Sequence, residues 1–76
     1  MKKLSELKPG EVGFIENIAE EEDFRRHLID MGMTPGTQVK VVRFAPLGDP
    51  MQIHIRGYEL GIRKSEAEKI IVRTTI

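Results

Sequence analysis

The sequence predicts a mainly β fold, a small barrel with one helix inserted after the first strand and a short helical turn before the last strand. Three observations carry this. Two Pro-Gly turns, Lys8-Pro9-Gly10-Glu11 and Thr34-Pro35-Gly36-Thr37, each open onto a β-prone run. A later run, Met51 to Arg56, alternates with period two, Ile53 and Ile55 inward and Gln52, His54 and Arg56 outward. One stretch alone, between the two turns, has helical spacing.

The elements follow in order. Pro at the second turn position presets φ and Gly at the third accepts the positive φ of a type II turn. The first turn feeds Val12 to Ile18; the second feeds Thr37 to Phe44, rich in β-branched residues that suit a pleated, half-buried surface. After the alternating third run, Gly57-Tyr58 interrupts, and Glu59 to Arg63 resumes with Leu60 and Ile62 on one face. A two-residue connection with Gly first suits a type II′ hairpin. The run from Ile70 to Ile76 is expected to close the sheet.

The helix is expected over Glu20 to Met31. Acids at its start favour the positive end of the helix dipole. Phe24, Leu28 and Met31 form a narrow apolar stripe, and Gly32 stands where a left-handed cap belongs. Ser65-Glu66-Ala67-Glu68 matches a capping box. Five short runs with a helical turn before the last are the order of an SH3-like barrel, with an OB-fold as the nearest competitor. Closure hides edge strands that would otherwise invite aggregation. With 76 residues, one domain over 1–76 is expected.

Composition excludes several classes. No cysteine is present, so disulfides, thiolate zinc sites and Cys nucleophiles are absent, which fits a reducing compartment. Met1 to Leu7 is too polar for a signal peptide, and no apolar run approaches the roughly 20 residues of a membrane span, so a cytoplasmic protein with no direct membrane insertion is expected. Twelve Lys and Arg balance twelve Asp and Glu. Acids gather early, at Glu16, Glu20, Glu21, Glu22, Asp23 and Asp30, and bases late, at Arg43, Arg56, Arg63, Lys64, Lys69 and Arg73; such lobes can steer a partner or simply be solvated faces.

Catalysis has little support, because the serines and threonines lack a His-acid arrangement and no phosphate loop is present; an enzyme is not expected. Arg56, Arg63 and Arg73 could form a basic stripe, but stacking platforms are few and the chain is neutral, so nucleic acid is not expected either. Asp23, His27 and Asp30, at i, i+4 and i+7 on the helix, are the candidate metal set, with Glu20 able to join. Carboxylate and imidazole suit Fe2+, Mn2+ or Zn2+. The bland alternative is a solvated acidic face with Arg26 nearby, and no firm cofactor is expected beyond such weak transition-metal binding. His54, alone on its strand, reads as a surface histidine. Met33, Leu47, Met51 and Tyr58 stand in or beside turns, where binding residues concentrate, and are the candidate partner-binding set. Leu47 and Met33 could instead fold back to plug the barrel ends.

Several segments in series resemble the FeoA family: Leu4-Ser5-Glu6-Leu7-Lys8-Pro9-Gly10, Leu28 to Thr37 with its Met31-Gly32-Met33-Thr34-Pro35-Gly36-Thr37, Arg43-Phe44-Ala45-Pro46-Leu47-Gly48-Asp49-Pro50, Gly57 to Arg63, and Glu66 to Ile70. The acidic segment Glu20 to Phe24 fits least closely. The resemblance implies an SH3-like barrel, a fold also seen as the terminal domain of metal-dependent repressors of the diphtheria-toxin-repressor type. It further implies a role beside FeoB, the membrane importer of ferrous iron with a cytosolic GTPase portion. The function expected is then a non-enzymatic cytosolic regulator of ferrous iron uptake that binds the cytosolic part of FeoB. A transition-metal sensor or carrier is the alternative, and a small nucleic-acid-binding barrel the third reading.

Overall fold

Residues 1–18 and 22–74 are described by the computed structural model, and they form a mainly antiparallel sheet. The elements are β1 (Lys2–Lys3), a 3₁₀ turn (Leu4–Glu6), β2 (Val12–Ile18), α1 (Glu22–Asp30), β3 (Gln38–Phe44), β4 (Met51–Ile55), β5 (Tyr58–Ile62), α2 (Lys64–Ala67) and β6 (Ile70–Arg73). The strand order is β1-β6-β2-β3-β4-β5. The sheet is barrel-like, coiled around one core without a hydrogen-bonded seam between β1 and β5. This is the SH3-like class that the turn-delimited runs predict.

β2 is shared between two neighbours. Its first half, Val12 to Phe14, pairs with Lys40 to Gln38 of β3, while Phe14 to Ile18 pairs with β6. The register slips at Glu16 against β6, and again at Val42 between β3 and β4. Each extra residue bends its strand and increases local twist. The space over Gly13 of β2 is filled by side chains: a Cβ there would lie 3.2 Å from Val72 Cβ and 3.3 Å from Leu7 Cδ1.

The core is aliphatic. Ile15 and Ile18 of β2, Val39 and Val41 of β3, Met51, Ile53 and Ile55 of β4, Ile62, Ile70 and Val72 are all buried, joined by Leu28 from α1. Leu4 of the 3₁₀ turn and Leu7 just after it join the core at the end where that turn meets α2 and its Ala67. Phe24, Met31, Phe44 and Leu60 cover its margin.

Both Pro-Gly turns form as expected, with Glu11 N donating to Lys8 O at 2.9 Å and Thr37 N to Thr34 O at 3.0 Å. The end of α1 is a Schellman motif. Gly32, at φ 94°, lets Met33 N reach Leu28 O (3.0 Å) while Gly32 N reaches Ile29 O (2.9 Å), and the apolar pair Leu28 and Met33 sits beneath.

Three local expectations need correction. The β4–β5 connection is Arg56-Gly57 rather than Gly57-Tyr58, since Ile55 pairs with Tyr58. Both central residues have positive φ (49° and 84°), which makes it a type I′ turn rather than II′. The helical turn is capped at Arg63, not Ser65: Arg63 N donates to the Glu66 carboxylate at 3.0 Å. Lys3 N with Glu6 and Lys8 N with Glu11 repeat this i, i+3 device (2.8 and 2.7 Å). The short edge strand β1 has no signal in the local sequence, because its partners in β6, Ile71 and Val72, lie at the far end of the chain.

Candidate functional site

The β3–β4 hairpin carries a distinct feature at each end. At one end the chain turns through Ala45-Pro46-Leu47-Gly48, closed by Gly48 N to Ala45 O (2.7 Å) and Ala45 N to Pro50 O (3.0 Å). Asp49 anchors this loop to the start of α2, its Oδ1 accepting from Lys64 N at 2.9 Å. Leu47 stands on the tip at 95% exposure, a branched apolar side chain in water on a backbone held from both sides. Leu47 is therefore displayed at the barrel end and does not plug it.

At the other end, the β4–β5 turn is fastened to the end of α1. Arg56 donates from Nε to Gly32 O (3.0 Å) and from Nη2 to Thr34 Oγ1 and Thr37 Oγ1 (3.2 and 3.3 Å). The two threonine hydroxyls share a hydrogen bond of 2.8 Å, and the Tyr58 hydroxyl donates to Met31 O. Beside this knot lies an open groove of about 640 Å³ lined by residues Thr34 to Gln38 with Lys40, His54 and Arg56. The sequence pattern puts Arg56 on a strand and in a stripe with Arg63 and Arg73. The structure disperses those three: Arg63 caps α2, and Arg73 on β6 pairs with Glu16 at 2.8 Å.

The four residues expected to meet a partner do not share a surface. Met33 and Met51 are completely buried and drop out as contact residues. Met33 is the apolar member of the Schellman cap, and Met51 begins the inward face of β4. Leu47 and Tyr58 remain exposed, but β4 separates them, a strand of five residues or about 17 Å. Tyr58 is 43% exposed with its hydroxyl already committed to Met31.

The metal set is also loosened. Asp23, His27 and Asp30 are all exposed on α1, yet among the described residues no three such groups are close enough to hold one ion. Asp23 and Asp30 are seven residues apart, about 10 Å along the axis, and both side chains lean toward the N-terminus, so neither closes the gap. Two oxygens on one ion would need to be within about 4 Å. Glu20 lies outside the described residues. Arg26 pairs with Glu22 at 3.2 Å, an exposed i, i+4 contact, rather than with the candidate ligands. Phe24, on the neighbouring face, receives the Lys69 ammonium 5.0 Å from its ring centroid.

Comparisons with known proteins agree with this architecture. The family model described as the FeoA domain matches residues 2–74. The chain is 36% identical over 70 residues to a fusion of Fe(2+) transport protein A with the Fe(2+) transporter FeoB in Porphyromonas gingivalis; the match covers 92% of this chain and 8% of the fusion. Among solved structures, FeoA of Chlorobium tepidum superposes with a TM-score of 0.89 at 44% identity, over 97% of this chain and 70% of that one. FeoA of Stenotrophomonas maltophilia, solved with zinc and described as a prokaryotic SH3 domain protein and a candidate ferrous iron transport activating factor, gives a TM-score of 0.80 at 25% identity, over 95% and 89% of the two chains.

Proposed function

The chain belongs to the FeoA domain family, and from that premise we propose that it is a non-enzymatic cytoplasmic accessory of ferrous iron uptake that regulates a FeoB-type transporter by binding its cytosolic portion. Support for the partner comes from the Porphyromonas gingivalis fusion, in which a domain of this kind and the transporter form one chain. Support for mode of action comes from Leu47. The loop backbone that carries this 95% exposed side chain is braced by Asp49 and the Ala45–Gly48 turn, so it loses little conformational freedom on docking. Among the described residues no helix is long and apolar enough to cross a membrane. Contact with the transporter is assigned to the barrel surface, with Leu47 at its centre.

Regulation by docking requires unequal affinity for two transporter states, since equal affinity shifts nothing. The experiment is calorimetry between this chain and the cytosolic portion of the transporter in its GTP- and GDP-loaded forms. Binding to one form more tightly, weakened by Leu47→Asp, is the expected result. Equal affinities, or no loss in the Leu47 variant, would defeat the reading.

A second reading, a weak transition-metal carrier, is favoured by the zinc complex of the Stenotrophomonas maltophilia relative. Here the ligands available would be His27 with one neighbouring carboxylate, Asp23 or Asp30, rather than all three.

A further inference from the structure

The groove at the Arg56 end of the hairpin has a composition that the family's transport role leaves unexplained. Its polar side chains stand at two levels along the hairpin, with Lys40 and Arg56 as its charged members. Lys40 on β3 lies directly across from His54 on β4, and one step toward the turn Gln38 and Arg56 line the same groove. The side chains of Lys40 and His54 have no hydrogen-bond or ion-pair partner among the described residues. Arg56 is committed through Nε and Nη2 alone, so Nη1 still offers its hydrogens. Among the described residues no carboxylate lines the groove; Glu59, across from His54 on β5, lies in an adjoining hollow that Lys40 and His54 also line. Lys40 and Arg56 thus leave the groove itself positive, and an acidic partner would neutralise it.

Spacing narrows the form of that partner. Side chains two residues apart on a strand are about 7 Å apart. From Lys40 to Gln38 along β3 the groove therefore presents donors at two levels separated by that distance, and Arg56, in the turn beyond β4, lines the same groove. A single compact anion spans one level. An extended polypeptide with acidic residues at alternate positions repeats at the same interval and meets both. The exposed Gln38 amide adds a neutral partner for its backbone. We propose that this groove binds an extended acidic peptide segment, with carboxylates at alternate residues meeting Lys40–His54 and Arg56. The site is separate from Leu47 and holds whether or not the iron-transport reading does.

The test is titration of the isotope-labelled full chain, followed by amide chemical shifts, with peptides of about ten residues whose length matches a strand of that rise. One alternates Glu and Thr; the other has the same composition with its acids in one block. Inorganic phosphate and a single-stranded RNA oligomer are the remaining probes. The expected result is saturable shifts at Thr34, Gln38, Lys40 and His54 with the alternating peptide, and affinity about tenfold above that of the block peptide at low salt. Lys40→Gln combined with His54→Gln, both exposed positions, should lower that affinity about tenfold with the spectrum still dispersed. Leu47→Asp should leave it unchanged. Absence of shifts, equal affinity for both peptides, saturation by phosphate alone, tighter binding of RNA, or an unaffected double variant would each overturn the proposal.

Discussion

Tyr58 at the start of β5 donates its phenolic hydrogen to the carbonyl of Met31 at the end of α1, so the β4–β5 hairpin holds a carbonyl that the helix itself leaves unpaired. Removing the hydroxyl alone tests the link. Tyr58→Phe should destabilise the fold by about 1 kcal/mol, the usual net value of such a bond, because water can reach a site that is partly exposed. Urea denaturation followed by circular dichroism measures it; an unchanged midpoint would mean that the contact contributes nothing in solution.

Gly32 is bound into the same knot by geometry rather than by a side chain. Its φ of 94° suits glycine, and a Cβ there would lie 3.1 Å from Arg56 Cδ. Gly32→Ala therefore meets both a left-handed backbone, which disfavours side chains by roughly 1–2 kcal/mol, and a crowded neighbour. A loss of about 2 kcal/mol is expected in the same assay. Adding Arg56→Ala should recover less than the crowding share, since it also removes three hydrogen bonds.

Exposure separates the residues that turn position alone would group as a docking surface. Met33→Asp or Met51→Asp puts a charge into a fully buried position and should abolish the folded state, seen as loss of shift dispersion. Leu47→Asp should alter stability by no more than about 0.5 kcal/mol, since the side chain touches almost nothing. A double variant at Met33 and Leu47 would thus report folding rather than docking. Leu47→Asp alone is the informative probe.

Local chemistry explains which parts of this architecture are legible in the sequence. The Pro-Gly turns and the Met51–Ile55 alternation depend on neighbouring residues alone, and they form as expected. Arg56 does not. A non-glycine residue at φ 49° is disfavoured locally, and what offsets it is three bonds to residues 24, 22 and 19 positions upstream. Leu4 and Leu7 likewise become core residues only because β1 pairs with β6 across almost the whole chain. The turn-side methionines mislead for a related reason: Met33 follows a glycine that turns the chain inward. The groove residues share no sequence motif, since Thr34, Lys40, His54 and Arg56 meet through pairing and not through spacing.

Metal binding provides a test on α1. With Asp23 and Asp30 about two turns apart, His27 can share an ion with one of them at a time. Anaerobic calorimetry with Fe2+, and aerobic calorimetry with Zn2+, should give weak heats that disappear in His27→Ala and persist, reduced, in each single Asp→Asn variant. A requirement for both carboxylates would restore the three-ligand site. Heats unchanged in His27→Ala would move the metal off this helix.

The loop that presents Leu47 makes the last prediction separable from the direct effect of the side chain. Asp49 Oδ1 holds Lys64 N, an otherwise unpaired donor at the start of α2, and thereby ties the Ala45–Pro50 loop to the barrel. Asp49→Ala leaves Leu47 intact but frees its support. Loss of such a cap is worth about 1 kcal/mol of stability. If presentation by a pre-ordered loop matters for docking, transporter affinity should also fall several-fold, chiefly through slower association or a larger entropic penalty. Surface plasmon resonance with the cytosolic portion of the transporter measures both rates. Stability lost with both rates preserved would show that Leu47 docks from a mobile loop equally well, and the bracing by Asp49 would then belong to folding alone.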